Sequence, residues 1–119
     1  IQAELFDELN KRGFLVMPGQ LGENITTSNV NLLDLPTGTR LQIGATAVIE
    51  LTALRNPCVQ IENYKKGLLK SVLFRDEQGN IIRKAGVMGV VLTGGQIRPQ
   101  DSIQVDLPPE PHNPLEYLW

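Results

Sequence analysis

The chain has 119 residues, 41% of them hydrophobic, and eleven Lys and Arg against thirteen Asp and Glu give a formal charge of −2. That is enough chain for one domain that buries about two-thirds of its unfolded surface without metal or disulfide, and it leaves no surplus of positive charge for general nucleic-acid binding. No apolar run reaches the roughly 18 residues a membrane span requires and no secretion signal opens the chain, so the expected setting is soluble, reducing and cytoplasmic.

The chain starts Ile1-Gln2-Ala3, without an initiator Met and already inside a helical pattern, which suggests a segment of a longer protein. Leu5, Phe6 and Leu9 recur at helical spacing and Gly13 stands where a left-handed C-cap ends a helix, so the first element is a helix over roughly residues 2 to 12. A short apolar run, Phe14 to Met17, leads into Pro18-Gly19-Gln20-Leu21-Gly22-Glu23-Asn24, an irregular loop that something must hold in place.

From Thr39 the pattern turns to β. Thr39 to Ile43 alternates, Gly44 breaks the run, and Ala47 to Thr52 continues it, which reads as a hairpin. Leu68, Leu69, Val72 and Leu73 line one helical face, predicting a second helix within Tyr64 to Phe74. Asp76 to Asn80 forms a polar turn. Ile81 to Arg83 and Val87 to Thr93 read as strands, Gly94-Gly95 as a turn, and Ile97 with Ile103 to Leu107 as the closing β segments around the loop Arg98 to Asp101. Pro108, Pro109, Pro111 and Pro114 deny residues 108–119 both helix and central strand, leaving an extended tail anchored by Tyr117 and Trp119. The fold class is a mainly-β barrel with two or more short helices, in a single domain.

Chemistry is sparse. His112, the one histidine, sits in the proline-rich tail, which disfavours a Ser/His/Asp triad or a His-based metal site. Gly86, Gly89, Gly94 and Gly95 lack the spacing of a phosphate-cradling loop and fit strand ends and bulges. There remains Cys58, the sole cysteine, behind Pro57 and three residues after Arg55. Two readings stand: a buried apolar group at a strand end, or a reactive sulfur whose thiolate Arg55 favours.

Five blocks in order carry a resemblance: Gly19 to Thr27; Leu35 to Thr39 with Ile43-Gly44; Arg55-Asn56-Pro57-Cys58; Arg83 to Val91; and Gly95 to Ile103. From Ile1 to about Pro114 the chain resembles the MOSC family, the C-terminal domain of molybdenum cofactor sulfurase, which also includes small stand-alone bacterial proteins and the mitochondrial amidoxime-reducing component. The resemblance implies a MOSC-type β-barrel with one signature cysteine that carries sulfur as a persulfide or ligates molybdenum in a bound pterin cofactor. Cys58 matches that position as catalytic residue and metal ligand.

It further implies a cofactor-lining loop at Gly22-Glu23-Asn24, with Glu23, Asn24 and Thr26 as candidate ligands of molybdopterin, and Arg55 pairing with the cofactor phosphate or tuning the sulfur. Arg83 with Lys84 would form an anion-binding edge, against the alternative of a solvated strand end. The implied activities are cofactor sulfuration, linked to a pyridoxal-phosphate cysteine desulfurase as sulfur donor, or reduction of N-hydroxylated compounds with a redox partner. A single-cysteine domain suits a persulfide, because no second thiol can collapse it into a disulfide.

The pattern also departs from the family's. Gln100 stands before Asp101 where Gly is usual, predicting strain at a positive-φ turn. Asn29 replaces a common Gly at lower cost. The family's upstream His-Gly-rich motif and first strands have no counterpart here, so the barrel is expected to be open and the pocket incomplete. A second hypothesis is a non-catalytic β-barrel interaction module, since segments like Gly95 to Ile103 also serve as structure in the small barrels of translation factors.

Overall fold

The apolar spacing at the start of the chain forms the expected helix α1 (Ala3–Lys11), which buries Leu5, Phe6 and Leu9. Gly13, at φ +89°, ends it and returns its N–H to the Asn10 carbonyl at 2.9 Å. The computed structural model describes residues 1–117, and the chain is divided between two units. Unit 1 comprises Ile1–Leu32 and Arg55–Gly86; unit 2 comprises Leu33–Leu54 and residues 87–117.

In unit 1 the core gathers Leu5, Phe6, Leu9, Val16, Leu21, Ile61, Leu68, Val72 and Ala85. Each fully buried aliphatic side chain contributes about 1.5–3 kcal/mol of transfer free energy. The short helix expected within residues 64–74 is α3 (Leu68–Val72), and a helix that the apolar spacing did not announce, α2 (Val59–Tyr64), precedes it. Gly67, at φ +86°, breaks the helical path between them. The Glu62 carboxylate then accepts the N–H groups of Gly67 at 2.8 Å and Leu69 at 3.1 Å, so a side chain of α2 satisfies the start of α3.

Strands β3 (Leu73–Arg75) and β4 (Ile81–Arg83) follow as an antiparallel hairpin. Its turn is held by Asp76 Oδ1, which accepts the N–H of Gln78 at 3.0 Å and of Asn80 at 2.8 Å. Lys84 is not a solvated strand end: its Nζ lies 2.8 Å from Glu8 Oε1 and 5.7 Å from the centre of the Phe74 ring.

In unit 2, β1 (Arg40–Ile43) and β2 (Ala47–Leu54) form the expected hairpin, joined by β5 (Val87–Thr93) and β6 (Ile103–Asp106) in the order β5-β2-β1-β6, all antiparallel. Alternation places Leu41, Ile43, Ala47, Leu51 and Ala53 at buried positions. Gly89 lies beside the register shift between Leu51 and Ala53. A Cβ there would come 2.6 Å from Ile49 Cγ2 and 3.0 Å from the Glu50 carbonyl, which accounts for glycine at a bulge.

Ile97 falls outside the strands, in the loop before β6. That loop turns through Gln100 at φ +71°, the left-handed conformation expected to be strained there, and Asn29 likewise sits at φ +64°. The tail runs extended. Pro114 bridges Pro36, Thr37 donates its N–H to the Asn113 carbonyl at 2.7 Å, and Leu115 is the buried anchor while Tyr117 stays 38% exposed. Trp119, the other expected anchor, lies outside the described residues. The fold is thus mainly antiparallel sheet with short helices, and among the described residues no ladder joins β5 to β6.

Candidate functional site

The residues singled out by their chemistry all fall in unit 1, on three segments: the loop from Pro18 to Thr27, the connection from Arg55 to Cys58, and the chain from Arg83 to Gly86. The loop is shaped by Gly19 at φ +91° and Gly22 at φ +77°. Met17 donates its N–H to Gln20 Oε1 at 2.8 Å, which closes the first turn, and Leu21 inserts into the core.

What holds the loop is Arg55. Its Nη2 donates to the Leu21 carbonyl at 2.6 Å, while its backbone N–H donates to the Gly86 carbonyl at 2.9 Å. One residue thereby ties all three segments together. Gly86 is packed closely: an added Cβ would sit 2.7 Å from Ile1 Cγ1, and its φ is +107°.

Within the loop, Thr26 donates its hydroxyl to Glu23 Oε2 at 3.0 Å, and Asn24 is exposed. The other carboxylate oxygen of Glu23, Nη1 of Arg55 and the hydroxyl of Thr27 are buried without a hydrogen-bond partner. Arg83 is half-buried at the end of β4.

Cys58 is exposed, which overturns the reading of a buried filler thiol at a strand end. It precedes a helix: the Cys58 carbonyl accepts the Ile61 N–H at 3.0 Å, and Pro57 and Ile61 on either side are buried. The sulfur is therefore presented to solvent from a backbone anchored on both flanks. Among the described residues no group of three or more His, Cys, Asp and Glu side chains could hold a metal.

Sequence reasoning named Glu23, Thr26 and Arg55 but missed the Leu21 carbonyl that Arg55 holds. A backbone acceptor has no side-chain identity to read. The flanking Gly19 and Gly22, around one apolar residue, were the available signal.

A family model described as the MOSC domain matches residues 1–104. The chain is also similar in fold to the crystal structure of YiiM from Geobacillus stearothermophilus, with a TM-score of 0.70 and 22% identity, over 88% of this chain and 51% of that one. It thus spans about half the length of that protein. No curated protein matches.

Proposed function

The chain belongs to the MOSC domain family, and on that premise we propose that it binds the molybdenum cofactor and handles sulfur through Cys58, as a cofactor sulfuration module or as part of a molybdenum-dependent reductase of N-hydroxylated compounds. The observation that carries this reading is the exposed sole thiol on a segment that Arg55 clamps to the loop of Glu23, Asn24 and Thr26. The four-stranded sheet is, on this reading, the part of a MOSC-type β-barrel that the chain carries.

The residues fit a pterin-bound metal. Glu23 Oε1 and Arg55 Nη1 are buried and unpartnered, as expected of groups awaiting a polar ligand. On this reading Asn24, Thr26 and Arg83 would supply further polar contacts to the cofactor. When bound, the cofactor supplies a molybdenum centre that exchanges a sulfur or oxygen ligand and two electrons.

Sulfur transfer needs only this chain and a donor persulfide, the product of a pyridoxal-phosphate cysteine desulfurase. The Cys58 thiolate attacks the donor's terminal sulfur, a new S–S bond forms on Cys58, the donor's S–S bond breaks, and the donor leaves as a thiolate. No oxidant is consumed. The absence of a second cysteine in the chain preserves the persulfide, and the working compartment is a reducing cytoplasm.

The test is Cys58→Ser in a cofactor-competent host. Wild type is expected to retain molybdenum and pterin, or to show a sulfur adduct on Cys58 by intact mass. The variant is expected to lose the adduct entirely and at least about tenfold of the retained metal, as for removal of a soft ligand. Wild type devoid of metal, pterin and adduct would return the chain to the non-catalytic interaction module.

A further inference from the structure

Charge is unevenly spread along the chain. Residues 55–86 hold seven of its eleven Lys and Arg but three of its thirteen Asp and Glu, so a basic stretch lies within a chain of net charge −2. Three of those cations, Lys65, Lys66 and Lys70, fall within six residues, from the end of α2 into α3. None of the three takes part in an ion pair among the described residues. The one carboxylate of the two helices, Glu62, is committed to the N–H groups of Gly67 and Leu69.

Most exposed lysines are simply solvated, and what distinguishes these is their company. Helix α2 leaves Val59 63% and Tyr64 41% exposed, and the Cys58 thiol at its start is exposed as well. Lys65 Nζ lies 5.7 Å from the centre of the Tyr64 ring, so the aromatic side chain and the charge share one patch. An apolar and an aromatic side chain left exposed beside charge have the make-up of a protein-binding surface. Lysine ammonium groups are point charges on flexible stems, so they answer to a field and not to the fixed geometry of one small anion. The complement of such a patch is an acidic protein surface.

We propose that α2 and α3 form a docking face for an acidic protein surface, with Lys65, Lys66 and Lys70 steering the partner and Val59 and Tyr64 taking the contact, so that a sulfur carried by the partner arrives at Cys58. That the cargo is a persulfide rests on the function proposed above; the docking face does not. The face acts on the encounter and not on the chemistry of the thiol. It raises the rate at which an acidic partner meets Cys58 and leaves the rate for a neutral one unchanged.

The experiment measures disulfide exchange at Cys58 in the purified chain with two peptide probes, acetyl-Cys-Gly-Glu-Glu-Glu-amide and its counterpart with Gln in place of Glu, each carrying thionitrobenzoate on its cysteine as a mixed disulfide. The Cys58 thiolate attacks the peptide sulfur, a new S–S bond forms as the old one breaks, and thionitrobenzoate leaves as a coloured thiolate, so no oxidant is needed. At low ionic strength wild type is expected to react about tenfold faster with the acidic peptide, and the advantage should shrink to about twofold in roughly 0.5 M salt. Lys66→Gln with Lys70→Gln should remove most of it while the neutral peptide keeps its wild-type rate. Lys11→Gln with Arg12→Gln, which removes as many charges from the end of α1, should change neither rate.

Equal rates for the two peptides at low ionic strength, a preference that persists without Lys66 and Lys70, or one lost equally without Lys11 and Arg12 would overturn the docking face. Equal peptide rates together with heparin binding that depends on Lys66 and Lys70 would also overturn it, by assigning the patch to a non-protein polyanion. Sulfur on Cys58 is read separately by intact mass. An adduct without peptide preference sinks this inference alone. Peptide preference in a chain that carries neither adduct nor metal sinks the proposed function and leaves the docking face standing.

Discussion

Unit 1 encloses its apolar side chains among short helices and loops, with Leu9, Val16, Leu68 and Val72 sealed from solvent, whereas unit 2 spreads them along a sheet whose strand β5 leaves Met88, Val90, Val91 and Leu92 between 43 and 65% exposed. The residues expected to carry chemistry, Glu23, Asn24, Thr26, Arg55, Cys58 and Arg83, all belong to the first. Irregular backbone held by specific clamps can aim polar groups where a regular ladder cannot, because a ladder commits its N–H and C=O groups to itself. Unit 1 should therefore depend on packing around those clamps, and unit 2 on strand pairing.

The largest expected effect tests the first half of that contrast. Leu68→Ala empties a fully buried position and should destabilise by about 2–5 kcal/mol. Urea unfolding measures the total, and amide exchange should show protection lost first in α1 and α3. Equal early loss in β1 and β2 would break the distinction between the units.

Gly89→Ala tests the other half. The new methyl would lie 2.6 Å from Ile49 Cγ2 and 3.0 Å from the Glu50 carbonyl, and β-branched Ile49 has little rotamer freedom to yield. A cost of about 1–3 kcal/mol is expected, with exchange rising in β2 and β5 while α1 and α3 keep their protection. Smaller, and opposite in sign, is Gln100→Gly. Removing the side chain from φ +71° relieves about 1–2 kcal/mol of left-handed strain, offset by roughly 0.4–1 kcal/mol from the greater freedom of the unfolded glycine. The net is a rise in the urea midpoint; a fall would mean that the Gln100 side chain supports the turn.

The two units also differ in how much of them could be read from residues alone. The hairpin β1–β2 and helix α1 announced themselves by period, because each buries one face and the spacing records it, and strand β5 by its run of β-branched and apolar residues. The positive φ at Gln100 was legible for the same reason that Gly is usual there. The stretch from Cys58 to Tyr64 was not. Nothing periodic marks Val59 to Tyr64 as a helix of its own ahead of the one expected within residues 64–74, so Cys58 was placed at a strand end instead of before α2. The decisive interaction is between a side chain and backbone amides several residues on, from Glu62 to Gly67 and Leu69, and such a contact leaves no trace in hydrophobic spacing.

That contact makes the smallest prediction, and the most local one. The N–H of Gly67, and then that of Leu69, hold the Glu62 carboxyl below its ordinary value of 4.5, because both hydrogen bonds favour the ionised form. With the folded pKa depressed, the stabilisation is fully present above the ordinary carboxylate value and is lost as the pH falls through the lower folded value. Glu62→Gln should therefore lower the urea midpoint at neutral pH and flatten its decline in acid, with exchange at Leu69 and the rest of α3 quickening while unit 2 is unmoved. A wild-type midpoint that falls no faster in acid than that of the variant would show that α3 starts at Gly67 for reasons other than this carboxylate, and would remove a side-chain clamp from the account of unit 1.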